Sequence, residues 1–415
     1  MKIYLETHGC TANKSDESII RGILRKENHE IVKTSEEADV LILLTCTVIG
    51  TTEQRMLSRL KVFKKTNKRI VVAGCMPSVQ SKLIKSIVPN AFLIPPQYIH
   101  HINDVIRGRE VVFEPKNKTL SSKNFKGIAA PISIAEGCTL SCSYCITHFA
   151  RGALRSFPIK EISSDIYGAL QQECREIQIT AQDTASYGLD MGNNLGTLLS
   201  NICKIEGNFR IRVGMMNPFT AQKNLMSILS AYENPKIYKF LHLPVQSGDN
   251  DILKKMNRKY VIEDFLEIVD KFRKKYPYIT LSTDIIVGFP SETDKQFSRT
   301  VELLRKVKPD IVNITRYSAR PLTKAKTMKA ISTKIAKERS KYLTDLCNTI
   351  SEEKNRDHVG KKYTVLITKK RNNNTFVGRA ENYKPVVTNE KVEIGQFATL
   401  KIVDSNSIHL YGKLI

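Results

Sequence analysis

Three cysteines lie close together near residue 140 of the chain. They are Cys138, Cys142 and Cys145, so that three and then two residues separate neighbouring thiols. A structural 4Fe-4S cluster normally takes four cysteines, and a run that offers only three leaves one iron open for a small ligand or a substrate. Structural zinc sites usually show a second cysteine pair or histidines downstream, and nothing of that kind follows. The spacing of this clustered trio therefore favours an iron-sulfur cluster with a reactive iron.

Three more cysteines are far apart in the sequence and occupy equivalent positions. This dispersed trio consists of Cys10, Cys46 and Cys75, and each thiol stands just past a short apolar run that predicts a buried strand. The runs are residues 2–6, 40–44 and 69–73. Helical segments alternate with them at 15–25, 51–65 and 78–88, which indicates a parallel sheet covered by helices. Because the carboxyl ends of parallel strands open onto one edge, the three thiols should converge there as a second open-iron site. Any one of them taken alone would more often be a buried core cysteine.

Two three-cysteine sites in this order, with the residues around them, resemble the methylthiotransferase family of the radical S-adenosylmethionine superfamily. The resemblance covers essentially the whole chain. Around the dispersed trio it is carried by Glu6-Thr-His-Gly-Cys10-Thr-Ala-Asn13, Thr45-Cys46-Thr-Val48 and Ala73-Gly-Cys75-Met-Pro77. Residues 180–188, 212–218, 241–248 and 283–290 are similar to the archaeal and eukaryotic branch, which acts on N6-threonylcarbamoyladenosine in tRNA.

The resemblance implies a reaction and a set of cofactors. The family inserts a methylthio group at an unactivated carbon-hydrogen bond, here carbon 2 of the adenosine at position 37, next to the anticodon. It implies two [4Fe-4S] clusters and S-adenosyl-L-methionine. The cluster on the clustered trio cleaves S-adenosylmethionine to a 5′-deoxyadenosyl radical, the cluster on the dispersed trio holds the sulfur, and a second S-adenosylmethionine supplies the methyl group.

The same resemblance sets the expected partners and leaves alternatives open. We expect tRNA, an electron donor such as flavodoxin or ferredoxin, a sulfur source, a monomeric chain and a cytoplasmic location. The alternatives are the same chemistry on an isopentenyl-type adenosine or a ribosomal-protein residue, and a non-catalytic iron-sulfur protein that binds RNA. Six cysteines in two open sites argue against the last. No residue can be identified as the threonylcarbamoyl receptor, and the candidates for its carboxylate are Arg151, Arg155, Arg212 and Arg316.

Composition agrees with a nucleic-acid partner. The chain has 415 residues and a formal net charge of +24, and a basic protein of this kind attracts polyanions. Lys, Asn and Ile are all abundant, as an AT-rich genome would encourage, so compositional drift is an alternative source for part of that charge. No apolar run approaches the ~18 residues that a membrane span needs, which excludes an integral membrane protein. Nine cysteines with two cluster sites among them indicate a reducing cytoplasm rather than disulfides.

The expected fold class is α/β with three domains. We expect a Rossmann-like parallel α/β domain at residues 1–112, a linker at 113–127, a radical S-adenosylmethionine core with a bridging helix at 128–356, and a small β-barrel at 357–415. Six strands predict an open (β/α)6 partial barrel in the core: 132–135, 177–180, 210–215, 240–244, 281–287 and 310–314. Polar groups that follow these strands or stand in the cysteine loop are candidates to bind S-adenosylmethionine or the nucleotide, although turn and capping roles fit each of them equally well. These candidates are Tyr144, Gln182, Asp183, Asn217, Gln246 and Asp284.

The last part of the chain predicts a long helix at 329–356 and then five short strands. The strands are 363–369, 375–380, 385–388, 397–403 and 407–414. They make a small barrel that resembles a TRAM domain, a fold similar to the oligonucleotide-binding barrels. Its expected RNA-binding residues are Lys369, Lys370, Arg371 and Arg379. A merely solvated basic β-face is the alternative.

Overall fold

The first domain is a five-stranded parallel sheet covered by helices on both faces. The structure, a computed structural model, describes residues 1–114, 117–372 and 374–415. The sheet order is β2-β1-β3-β4-β5. Its strands are β1 (Lys2–Thr7), β2 (Glu30–Val32), β3 (Val40–Thr45), β4 (Arg69–Gly74) and β5 (Phe92–Ile94). All six residues of β3 are buried, because a central parallel strand is covered on both sides.

Helices of this domain pack on the two faces of the sheet around separate apolar clusters. They are α1 (Thr11–Lys26), α2 (Gly50–Lys64), α3 (Cys75–Val79), α4 (Ser81–Ile87) and α5 (Ile102–Ile106). Helix α1 buries Ile20 and Leu24, which lie four residues apart on one side of the helix. The three predicted strands and the helical segments between them are present, and the segment 78–88 is divided between α3 and α4 because the backbone leaves the helical region at Gln80. The edge strands β2 and β5 were too short to give a periodic signal.

The central domain contains the six expected barrel strands in two parallel sheets. These are β6 (Ala129–Ser133), β9 (Glu176–Thr180), β10 (Arg210–Val213), β11 (Phe240–His242), β12 (Thr280–Val287) and β13 (Ile311–Arg316). The sheets have the orders β10-β9-β6 and β11-β12-β13, and an isolated bridge between Ile211 and Ile237 lies where they meet. Within the described residues β6 and β13 do not pair, so the barrel is open. The first strand starts at Ala129, earlier than expected, and a short ladder of β7 (Ala135–Glu136) with β8 (Arg155–Ser156) follows it.

Helices surround this barrel and bury a large apolar core against it. They are α6 (Thr147–Arg151), α7 (Ile159–Gln171), α8 (Leu195–Ile202), α9 (Pro218–Lys223), α10 (Leu225–Ala231), α11 (Asn250–Lys255), α12 (Ile262–Lys275), α13 (Asp294–Val307) and the long α14 (Thr333–Arg356). Helix α14 begins four residues later than expected, because the Ser332 side chain caps its N-terminus by accepting from the Lys334 amide. None of the helices in the described ranges is both long and apolar enough to cross a membrane.

Five strands close into a small barrel at the C-terminus, in the order β14-β15-β16-β18-β17. They are β14 (Lys362–Asn372), β15 (Thr375–Arg379), β16 (Pro385–Thr388), β17 (Phe397–Ser405) and β18 (Leu410–Leu414). This barrel docks under the central one. The Tyr383 ring lies 4.9 Å from the Phe240 ring, and its hydroxyl donates to Glu176 Oε1 at 3.2 Å. Since Glu176 and Phe240 are the first residues of their strands, the contact lies at the end of the barrel opposite the strand C-termini.

Part of the segment between the first two domains packs against the first domain. Residues 115 and 116 of the expected linker lie outside the described ranges. Lys118 is 3% exposed, and the backbone at Ser122 and Lys123 packs against Gly22 of α1. A Cβ atom added to Gly22 would meet the Ser122 carbonyl oxygen at 2.2 Å.

This packing predicts opposite effects for two helical glycines. Gly22→Ala should lower the stability by about 1–3 kcal/mol, because the added methyl group meets backbone that must shift. Gly168→Ala on α7, where nothing lies within 4 Å of the added Cβ, should raise it by about 0.5–1 kcal/mol through helix propensity. Urea unfolding followed by circular dichroism measures both. Equal gains in the two variants would contradict the packing at Gly22.

Candidate functional site

All six cysteines of the two trios line one cavity between the first domain and the mouth of the central barrel. Its volume is about 490 Å³. Cys10 is the N-cap of α1, Cys46 follows β3, and Cys75 is the first residue of α3, directly after β4. The clustered trio lies on the loop after β7. The shared sheet edge thus brings three distant thiols together and sets them opposite the other three.

Two glycines allow the loops to approach this closely. Gly9 has φ +113°, and a Cβ atom there would lie 2.7 Å from Cys46 Cβ. Gly137 has φ +80°, and its Cβ would lie 1.9 Å from the Ala153 carbonyl oxygen. Both positions combine a left-handed backbone with a close contact, so a residue with a side chain would push the cysteine-bearing loops apart.

The loop of the clustered trio is fixed by the end of α11. The Ser143 amide donates to the Met256 carbonyl at 2.9 Å, and the Ser143 hydroxyl donates to the Lys255 carbonyl at 2.8 Å. The Asn257 amide group donates to the Ser141 carbonyl at 2.8 Å. These bonds join parts of the chain more than one hundred residues apart and hold the thiols toward the cavity.

Burial raises the pKa of four of these thiols above the ordinary value for cysteine. It raises the pKa of Cys75 to about 12 and that of Cys138 to about 12, and it also raises the pKa of Cys46 and Cys145. A coordinated metal reverses this effect because its charge deprotonates the thiol outright. In the described part of the chain, no three Cys, His, Asp or Glu side chains are already arranged to hold a single metal ion.

A buried network of four charges joins the first domain, the linker and the barrel beside this cavity. Lys118 Nζ lies 2.8 Å from Asp16 Oδ1 and 2.7 Å from Glu136 Oε1. Arg151 lies 2.7 Å from Asp16 Oδ2 and 3.1 Å from Glu136 Oε1, and it also donates to Asn13 Oδ1 at 2.9 Å. The side chains of all four charged residues are at most 4% exposed. Burial alone would raise the pKa of Asp16, but Lys118 and Arg151 outweigh it and lower that pKa.

A second polar contact joins the same two domains. Arg320, which follows β13 and is 4% exposed, is ion-paired with Glu53 of α2 and donates to the Thr47 hydroxyl at 3.3 Å. Next to it, Gly50 leaves room for the Ser318 hydroxyl, which would lie 2.6 Å from an added Cβ. The two domains are therefore held together at two places, by the network around Arg151 and by the ion pair of Arg320 with Glu53.

The six residues expected to bind cofactor or nucleotide all line the cavity, and three of them make hydrogen bonds that cap a helix or hold a loop. Asp183 is 2% exposed, and its oxygens accept from the Asn217 amide at 2.9 Å and the Thr220 hydroxyl at 2.6 Å. Gln182 Oε1 accepts from the Gly137 amide at 2.7 Å. Asn217 caps α9 through its side chain. Capping and loop-holding hydrogen bonds thus account for the contacts of these three residues. Their roles in binding cofactor or nucleotide stay predictions.

The other three candidates differ in their surroundings. Tyr144 packs on an apolar cluster that includes Phe289. Gln246 has φ +70° and forms a parallel bridge with Ile285. Asp284 Oδ1 lies 3.1 Å from His242 Nε2 and accepts from Asn313 Nδ2 at 2.7 Å. His242, Asp284 and Asn313 face the cavity from three neighbouring strands, β11, β12 and β13, and sequence reasoning did not identify the two partners of Asp284.

The four candidate arginines for a substrate carboxylate are in different situations. Arg151 is buried with two carboxylates, and Arg155 lies 3.6 Å from Glu136 Oε2. Arg212 lies over the rings of Phe240 and Tyr383, at 5.3 and 5.7 Å. Arg316 is exposed at the end of β13. Arg212 and Arg316 line the cavity and Arg155 does not, while Arg151 lines it and joins the domains.

The C-terminal barrel presents three of its four expected RNA-binding residues to solvent. Lys369, Lys370 and Arg371 are exposed on β14, which has register shifts on either side of the Lys369 and Lys370 pairs. Arg379 is less available, because its guanidinium lies 4.5 Å from the Tyr383 ring centroid. Residue 373 of the expected turn lies outside the described ranges.

Sequence reasoning missed the charged residues that hold the site together. These are Asp16, Lys118, Glu136, Arg258 and Arg320. No local pattern identifies them, since their partners lie up to 273 positions away in the chain.

Comparisons with known proteins agree with this architecture. Residues 2–94 match the model described as uncharacterized protein family UPF0004, residues 132–304 the radical SAM superfamily, and residues 356–415 the TRAM domain. Among solved structures, a radical S-adenosylmethionine methyltransferase, TsrM, from Kitasatospora setae has a TM-score of 0.58 at 11% identity and covers 78% of this chain and 75% of its own. At that identity the likeness shows the fold alone. The fold and the matched models define a radical S-adenosylmethionine enzyme.

Full-length relatives identify the family. A probable threonylcarbamoyladenosine tRNA methylthiotransferase of Archaeoglobus fulgidus is 42% identical over 100% of this chain and 99% of its own length. The human threonylcarbamoyladenosine tRNA methylthiotransferase is 32% identical over 99% of this chain and 74% of its own. The chain belongs to the threonylcarbamoyladenosine tRNA methylthiotransferase family, which confirms the family and the enzyme class inferred from the sequence.

The buried network predicts a large and specific loss of stability. Arg151→Met should cost about 3–5 kcal/mol, because Asp16 and Glu136 would stay buried with one cation fewer. Lys271→Met on α12 is the control, since its pair with Glu267 is exposed to solvent and should contribute far less to stability than the buried network. Urea unfolding of the metal-free protein measures both, and similar small losses would contradict a structural role for the network.

Proposed function

We propose that this protein converts N6-threonylcarbamoyladenosine at position 37 of tRNA to its 2-methylthio derivative. The observation that carries the proposal is the single cavity that both cysteine trios line. Carbon 2 of adenine is neither acidic nor electrophilic, so acid-base or nucleophilic side chains have little effect on it. The reaction therefore needs a cofactor, which the protein must orient against the base.

The residues present fit two iron-sulfur clusters. Each trio supplies three thiols and no fourth cysteine, and each has an arginine of the barrel beside it whose charge suits an anionic group. In the proposal Cys10, Cys46 and Cys75 hold one [4Fe-4S] cluster, and the clustered trio holds the other, with S-adenosyl-L-methionine. When bound, these groups supply the electron transfer, the radical and the methylthio group.

The side chains of the chain have the remaining tasks. The networks around Arg151 and Arg320 keep the two trios facing each other, and the bonds to Ser143 fix the loop of the clustered trio. Gln246 and Asp284 present polar atoms to the cavity, where they can contact S-adenosylmethionine or the base. A base in an anticodon loop is single-stranded and can be turned into such a cavity without melting a helix.

Further parts of the proposal concern organisation and partners. We place domain boundaries near residues 112, 127 and 356, with the TRAM barrel after the last. The enzyme takes electrons from a flavodoxin or ferredoxin, receives sulfur from a separate source and acts as a monomer in the cytoplasm. All nine cysteines are free thiols, which suits a reducing compartment.

Nucleoside analysis after reaction tests the function. The reconstituted enzyme, incubated with reductant, S-adenosylmethionine and tRNA that carries threonylcarbamoyladenosine, should yield its 2-methylthio derivative by mass spectrometry. Cys142→Ala should abolish both 5′-deoxyadenosine and product. Cys46→Ala should keep 5′-deoxyadenosine and lose product, because its site serves sulfur.

Each alternative gives a different result in this experiment. If the methylthio product forms only on tRNA that carries isopentenyladenosine, or only on a ribosomal protein, the proposed substrate is wrong. Loss of 5′-deoxyadenosine in Cys46→Ala with the other cluster intact would contradict the division of labour. Cys347→Ala is the control, since Cys347 is a core thiol distant from the cavity lining and should keep both products.

The exposed bases of β14 predict a salt-dependent contact with tRNA. Neutralising Lys369, Lys370 and Arg371 together should weaken binding and flatten its salt dependence. Each lost phosphate contact reduces the slope of log K against log salt concentration by about 0.9. The matched control replaces Lys334, Lys337 and Lys341, which are exposed on α14 and carry the same charge. Filter binding across a salt series measures both. An unchanged slope in the β14 variant would mean that these side chains do not contact the backbone of the RNA.

A further inference from the structure

The two arginines beside the cysteine trios differ in how their charges are compensated. Arg151, near Cys75, is ion-paired with Asp16 and Glu136. Arg258 Nη1 donates to Cys142 Sγ at 3.5 Å. Within the described residues, no ion pair joins Arg258 to a carboxylate, and its guanidinium is hydrogen-bonded to the sulfur of Cys142 instead.

Arg258 is held in this orientation by neutral groups. Its Nη2 donates to the Pro244 carbonyl at 3.1 Å, and its Nε donates to the Tyr260 hydroxyl at 3.2 Å. That hydroxyl in turn donates to the Val245 carbonyl at 2.7 Å. The guanidinium is therefore pinned to the segment after β11 and directed at the sulfur without losing its charge to a neighbour.

The two carboxylates on the same cavity have other hydrogen-bond partners. Asp183 accepts from the Asn217 amide and the Thr220 hydroxyl. Asp284 accepts from Asn313 and contacts His242. They add negative charge at a distance but do not neutralise Arg258 by contact.

The cations around the dispersed trio are all paired with carboxylates. Arg151 and Lys118 contact both Asp16 and Glu136, and the partly exposed Arg155 lies 3.6 Å from Glu136 Oε2. Reduction of an iron-sulfur cluster adds one negative charge, and an N–H···S hydrogen bond with an uncompensated cation stabilises the reduced form. The two sites therefore offer an incoming electron different environments.

We propose that Arg258 raises the reduction potential of the cluster on Cys138, Cys142 and Cys145, so that the electron enters there rather than at the dispersed trio. The inference rests on the cluster sites of the proposed function. Arg258 acts as a positioning residue through the ligand sulfur. The electron comes from an external one-electron reductant, such as dithionite in the test, and the cluster gains this one electron.

A redox titration followed by electron paramagnetic resonance tests the role of Arg258. The full chain with Cys10, Cys46 and Cys75 changed to Ala isolates the clustered trio. Arg258→Gln should lower the equilibrium constant for reduction at least tenfold, which is 59 mV for one electron. Arg258→Lys, which keeps the charge, should lower it less. Lys259→Gln removes the same charge from an exposed neighbour and should leave it unchanged.

A second comparison does not depend on any change at Arg258. In the chain with Cys138, Cys142 and Cys145 changed to Ala, the remaining cluster should be at least tenfold harder to reduce. The inference is overturned if this cluster is reduced as easily as the other one, or if Arg258→Gln loads iron normally and keeps the wild-type potential. A wild-type chain that loads no cluster on Cys138, Cys142 and Cys145 would instead contradict the proposed function and the inference with it.

Discussion

The four-charge network of Asp16, Lys118, Glu136 and Arg151 decides how the first domain sits on the barrel. Taking these groups out of water is costly, and their mutual attraction offsets that cost only when all four are in place. The network is therefore a strict geometric requirement. Any other orientation of the domains would leave charges buried without partners. That requirement places the sheet edge with one trio of thiols against the mouth with the other.

The position of Arg151 links this constraint to the chemistry. It ends the short helix α6, which follows the loop of the clustered trio, and it reaches Asp16 of α1, which follows Cys10. One side chain thus connects the segments that bear the two sets of thiols. A shift of either segment would break the ion pairs, so the distance across the cavity is held by the same contacts that hold the domains.

The C-terminal barrel is attached by a similar device at the opposite end. The Asp310 side chain is 2% exposed and lies 2.8 Å from Lys384 Nζ and 2.6 Å from Lys354 Nζ. These two ion pairs join the start of β13 to the small barrel and to α14. Burial raises the pKa of Asp310, but the two lysines outweigh that effect and lower it. Because this attachment lies away from the strand C-termini, the small barrel can bind RNA without closing the mouth. The exposed side chains of β14 then lie on the same rigid body as the cavity.

The sequence by itself determined the fold class, the six cysteines and the family, because apolar runs, helical periodicity and cysteine spacing are local signals. It also placed Gln182 and Asp183 near the mouth, since both follow β9, whereas Asp284 lines the cavity from within β12. Only the tertiary structure decided that Arg151 joins domains and that Arg258 faces Cys142. Both facts depend on partners more than one hundred positions away, or on the loop geometry that brings them together. The role of a buried charged residue can be inferred only when its ion-pair partner is known, and local sequence patterns do not identify that partner.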